Sequence, residues 1–107
     1  MEKIPFEQNN VTVATDEQVK GWKKKYGKLF RIKLDGKECI LHKPDRLILD
    51  LAIKSSKDRD SMFNETIFKN CWLSGSKEFI TDSDLFMGAS AKLDKIVKFK
   101  EAELEEL

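Results

Sequence analysis

Cysteine and histidine are almost missing from this 107-residue chain: Cys39, Cys71 and His42 are the whole supply. Two thiols imply no disulfide framework, so both read as reduced. With a single imidazole, widely spaced from them, no zinc-ligand pattern can be assembled and no metal or other cofactor is expected. Glycine is scarce as well. Gly75 and Gly88 stand isolated, with no Lys-Ser or Lys-Thr behind them, which excludes a glycine-rich phosphate loop. No apolar run is long enough to span a membrane. The opening stretch "MEKIPFEQNNVTVATDEQ" holds neither an apolar block of signal length nor a small-residue cleavage site, and reads as an unprocessed cytoplasmic start.

What remains is a heavily charged chain, 40% apolar and 36% charged, which fits one soluble domain spanning residues 1–107 with an economical core. Its net charge of +1 hides a division. Residues 1–43 carry ten Lys/Arg against six Asp/Glu, and residues 44–107 carry ten against thirteen. The basic excess gathers in "KGWKKKYGK" (20–28) and the acidic excess in "KEAELEEL" (100–107). Such polarity suits head-to-tail association into a homo-oligomer, or internal neutralisation, better than a uniform nucleic-acid surface.

The pattern predicts an α+β fold: a small β-hairpin or three-stranded antiparallel sheet covered by three to four α-helices. Thr15 and Gln18 have capping-box spacing, so a helix runs from Asp16 to Tyr26 and stops at Gly27. Its stripe, Val19, Trp22 and Tyr26, docks on the core or, where it stays exposed, offers a partner surface. Asp35-Gly36 then sits between two strand-like runs and sets a type I′ hairpin. That register places Leu34 opposite Lys37, Ile32 opposite Cys39 and Phe30 opposite Leu41 on one largely apolar face, making Cys39 a core thiol. The other face reads as mostly solvated, with His42 ending an edge strand. Residues 10–15, "NVTVAT", are the candidate third strand, although residues 1–14 as a whole read as loosely held.

Pro44 fits the first turn of a second helix, whose stripe of Leu47, Ile48, Leu51 and Ala52 is expected to face the hairpin. A third helix, capped by Asp58 or Asp60, carries Phe63, Ile67 and Cys71 inward, with Trp72 closing its last turn before Ser74-Gly75-Ser76. A fourth begins at a capping-box variant, Thr81 and Asp84, and continues through Leu85, Ala89, Leu93, Ile96 and Val97 to about Lys100. Asp58, Asp60, Asp82 and Asp84 all fall at helix starts, which explains them structurally.

Cys71 is the most enzyme-like residue, beside a tryptophan and just before a small-residue loop. A catalytic thiol needs a base in reach and a field that lowers its pKa, commonly at a helix N-terminus. Cys71 falls at a C-terminus, where the dipole disfavours a thiolate, and His42 has no evident orienting partner. The thiol reads as interior filler, and no catalytic residue is assigned.

The order of these pieces is itself informative. An Asp-Gly hairpin, "KPDR" (43–46), "FNE" (63–65), "NCWL" (70–73) and a Ser/Gly/acidic loop leading to "TDSDLF" (81–86) resemble a family of small prophage-encoded proteins from about Val19 onward. These are similar to the tail assembly chaperones of long-tailed phages, short α-rich proteins that bind the tape-measure protein and are absent from the finished particle. The resemblance implies a non-enzymatic factor in the bacterial host cytoplasm, with a long helical protein as its partner.

Such a factor needs exposed apolar stripes and charges that keep its complexes soluble. The candidate partner-binding residues are Trp22 and Tyr26, together with Phe99, Leu104 and Leu107 in the acidic tail. Phe79 and Phe86 are second choices, expected to seal the core. The alternative is a small nucleic-acid-binding module, in which Lys20, Trp22, Lys23, Lys24, Lys25, Tyr26 and Lys28 stack bases and neutralise phosphates.

Overall fold

The computed structural model describes residues 3–97 and 102–107. A single 3₁₀ turn, Phe6–Gln8, precedes α1 (Asp16–Tyr26), and β1 (Leu29–Leu34) and β2 (Lys37–His42) follow. Next come α2 (Arg46–Ser55), α3 (Ser61–Cys71), β3 (Trp72–Gly75), α4 (Glu78–Thr81), α5 (Ser83–Ser90) and α6 (Leu93–Ile96). The fold is α+β, a three-stranded antiparallel sheet in the order β1-β2-β3 with six helices among the described residues.

The hairpin forms in the register set by Asp35-Gly36. Both turn residues take positive φ, 55° and 74°, as a type I′ turn requires. Ile32 pairs with Cys39 and Phe30 with Leu41. Behind that face lies the core, built from Cys39 and Leu41 with Ile67, Phe68, Cys71 and Trp72. Cys71 is wholly buried, as its place on the Phe63/Ile67 stripe implies.

Four expectations need correction. The third strand is β3, not residues 10–15: after Cys71 the backbone turns extended at Trp72 (φ −65°, ψ 127°) and pairs with β2. Leu41 faces Trp72 and Ile40 faces Ser74, so Leu73 is the extra residue of a bulge. Trp72 therefore opens a strand instead of closing a helix. This makes β2 the central strand and buries Ile40 on the face that alternation had left to solvent, where His42 is buried as well.

Second, α2 begins at Arg46, two residues after Pro44. Asp45 is its N-cap, its carboxylate accepting from Ile48 N at 2.9 Å. The helix packs against α3 rather than the hairpin, leaving Leu47 77% exposed and Leu51 47% exposed, while Ala52 is fully buried. Third, the final helix is broken. Asp82, not Thr81, caps α5, accepting from Leu85 N at 3.1 Å. At residues 91–92 the chain turns, Lys92 N bonding to Ala89 O, before α6 buries Leu93 and Ile96.

The fourth correction concerns residues 3–11, within the segment read as loosely held. In place of a loose segment, residues 3–11 form a strap attached at specific points. Asn9 is buried; its Nδ2 donates to Leu73 O at 3.0 Å and its Oδ1 accepts from Val11 N at 2.9 Å. Gly75 N donates to Val11 O at 2.8 Å, a single backbone bond beside β3. Phe6 meets Trp72 edge-on, ring centroids 5.1 Å apart and planes at 85°, a favoured aromatic geometry. No helix among the described residues is long and apolar enough to cross a membrane.

Candidate binding cleft

Between this strap and α1 lies a cleft of about 590 Å³, within the size range of sites that enclose a ligand. One wall is α1. Thr15 Oγ1 accepts from Gln18 N at 3.1 Å while Gln18 Oε1 accepts from Thr15 N at 2.9 Å, the reciprocal capping box expected from the sequence. From this fixed start the helix turns Gln18, Gly21, Trp22, Lys25 and Tyr26 toward the cleft. The opposite wall is the strap, through Lys3, Ile4, Asn9 and Val11, and Trp72 and Leu73 complete the lining. The exposed lining is mainly apolar; among the described residues its cations are Lys3, Lys24 and Lys25 and its acid is Glu17.

Trp22 and Tyr26 are half-buried, so the proposed stripe divides its surface between fold and cleft. Tyr26 lies flat on His42, ring centroids 4.4 Å apart and planes 7° from parallel. His42 is buried, not the solvated strand end read from alternation, because Tyr26 covers its ring and the strap covers its edge. Lys3 Nζ lies 3.0 Å from His42 Nε2, and His42 Nδ1 lies 2.9 Å from Lys43 O. These contacts assign the neutral tautomer: Lys3 donates to Nε2, and Nδ1–H donates to the Lys43 carbonyl. Burial pushes the imidazole pKa down from 6.5, and the Lys3 charge adds to the effect. Burial lowers the pKa of Lys3 in turn.

With both ring nitrogens engaged, His42 is not placed as a base for Cys71. Burial raises both thiols to about 12, so neither holds appreciable thiolate at neutral pH. Among the described residues, Trp72 is the largest fully buried side chain, and its Nε1–H is enclosed without an acceptor, an arrangement that typically costs ~1–3 kcal/mol. Among the described residues, no three His, Cys, Asp or Glu side chains come together as a metal site.

The cleft gathers four of the sequence-derived candidates, Trp22, Tyr26, Lys24 and Lys25. Lys20, Lys23 and Lys28 are exposed but do not line it. Leu104 and Leu107 are fully exposed in residues 102–107, which carry no regular secondary structure, and Phe99 lies outside the described residues. Phe79 is buried and Phe86 packs against Phe68 at 5.8 Å, in keeping with core roles.

Sequence reasoning missed the strap residues Lys3, Ile4, Asn9 and Val11. It also missed Gly21, where a readable signal existed. Gly21 sits inside α1, and a Cβ built there meets nothing within 4 Å. Packing does not require glycine at this position, and a helix-interior glycine costs roughly 0.5–1 kcal/mol relative to alanine. What it leaves is open space on the wall of the cleft. Comparison of the chain with known protein families, curated proteins and solved structures returns no match.

Proposed function

We propose that this chain is a non-enzymatic phage or prophage protein, similar to tail assembly chaperones, that grips a helical segment of a tape-measure protein in the bacterial cytoplasm. The cleft is the observation that carries this reading: an open, mainly apolar recess with Trp22 and Tyr26 in its wall and lysines among its lining residues. Amphipathic helices are taken by apolar grooves of this kind through side chains spaced three and four apart, and half-exposed aromatics are favoured anchors. The motif order from the hairpin to "TDSDLF" points to the same class of partner.

Co-expression with a tagged tape-measure fragment tests the proposal. The expected result is a stable complex that survives purification and is lost in Trp22→Ala. Consistent failure of the wild-type chain to co-purify contradicts it.

A second reading has a specific observation in its favour, since Lys24 and Lys25 share the cleft with both aromatics. A single-stranded nucleic acid would find base-stacking faces and cations together there. Against it, one face of Tyr26 is already covered by His42. Salt-sensitive binding of a labelled single-stranded oligonucleotide, abolished by Lys23, Lys24 and Lys25 to glutamate, is the result that would favour this reading over the first.

A further inference from the structure

We propose that the same cleft takes the acidic segment 102–107 of a second copy of this chain, so that free copies associate head to tail. The inference rests on reading the cleft as a binding site, but it names a different occupant. Charge complementarity is the first argument. Among the described residues the cleft is lined by Lys3, Lys24 and Lys25 against Glu17, while segment 102–107, "AELEEL", carries three glutamates and no cation. Opposite potentials of this kind steer encounter and fix orientation.

Shape gives the second argument. Leu104 and Leu107 are fully exposed, and a helical turn taken up in the cleft by this irregular segment would set them on one face, about 4.5 Å apart along its axis. That face matches the apolar lining formed by Ile4, Val11, Trp22 and Tyr26. Gly21 supplies the third argument. Its missing side chain leaves space in the cleft that α1 itself does not use, as expected where another chain approaches closely.

Because cleft and segment are different surfaces, the contact is heterologous, and a pair of copies still has one free cleft, on one copy, and one free segment, on the other. A cleft filled by another copy is also shielded until a partner with a better apolar face displaces it.

Sedimentation velocity across a wide range of protein concentration tests the proposal. Wild type is expected to self-associate as concentration rises and to dissociate in high salt. Leu104→Asp with Leu107→Asp removes the plug, and Gly21→Leu fills the socket; each alone is expected to stay monomeric. The two variants mixed are expected to form a 1:1 dimer and nothing larger, because one retains a good socket and the other a good plug. Should Gly21→Leu fail to fold, the exposed pair Lys24→Glu with Lys25→Glu takes its place as the socket variant. A wild type that stays monomeric at every concentration overturns the proposal, whether the segment is idle or folds back on its own chain. So does association that survives both sets of variants, or a mixture that does not dimerise. The plug variant keeps its cleft, so its co-purification with a tape-measure fragment reports separately on the proposed function.

Discussion

Gly75→Ala probes the corner on which the sheet and the strap both depend. Gly75 ends β3, pairs with Cys39 and donates its N–H to Val11 O. Its φ is 134°, a conformation in which L side chains are strained, at a cost of about 1–3 kcal/mol. A Cβ would stand 2.5 Å from Glu38 O and 2.6 Å from Cys39 Cβ, and closer still to Cys39 Cα. Two of those atoms are backbone of the central strand, so relief means moving β2 and β3 apart. Overpacking of this kind costs typically 1–3 kcal/mol. The sum, about 2–6 kcal/mol, is a large part of the ~5–15 kcal/mol that holds an ordinary domain folded. Urea denaturation followed by far-UV circular dichroism measures it, with Gly21→Ala as the paired control. The control is expected to gain roughly 0.5–1 kcal/mol, since its Cβ meets nothing. A Gly75→Ala protein as stable as wild type would refute the close approach of β3 to β2.

Other expectations follow from the buried groups. Trp72→Phe removes an N–H that has no acceptor, so it is expected to cost clearly less than Trp72→Ala, for which about 3–5 kcal/mol is typical; equal losses in thermal melts would contradict the enclosed, unpaired indole. His42 titrates lower in the fold than its ordinary 6.5, so the stability it contributes is full above about pH 6.5 and is lost as pH falls through the lower folded value. Charging the ring also abolishes the Lys3 bond at Nε2. The melting temperature is therefore expected to fall more steeply below pH 6.5 in wild type than in His42→Gln, and parallel profiles would count against this. Cys39 and Cys71, both fully buried, are expected to react with a thiol reagent only as fast as the chain unfolds; rapid modification of the native protein would place one of them at the surface.

The elements legible in the sequence were those carrying their own local signal. Asp35-Gly36 fixed the hairpin and its register because both residues had to accept positive φ. Thr15 and Gln18 fixed the start of α1, and the four-residue spacing of Phe63, Ile67 and Cys71 gave the inward face of α3. What stayed hidden had long-range causes. β3 is a four-residue strand issuing directly from a helix, with no turn residue between them, so "WLSG" read as the helix end. Its arrival beside β2 buries Ile40, and Tyr26 with the strap buries His42, both against their alternation. The stripe of α2 pointed to a core, but α2 packs on α3 at the margin, so Leu47 faces outward. Half of the cleft was readable, since Trp22 and Tyr26 share a helix face. The other half depends on Asn9 bonding to Leu73, a contact between residues sixty-four positions apart that local pattern does not reveal.

The two tryptophans provide the most direct measurement. In a ¹⁵N-correlated NMR spectrum each gives one indole N–H signal, Trp22 from the cleft wall and Trp72 from beneath the strap. Titration with a helical tape-measure fragment is expected to shift the Trp22 signal and the amides of Val11, Gly21 and Tyr26, leaving those of the exposed α2 face in place. Shifts confined to Leu47 and Leu51, with Trp22 and Gly21 unmoved, would contradict the proposal that the cleft is a partner-binding site.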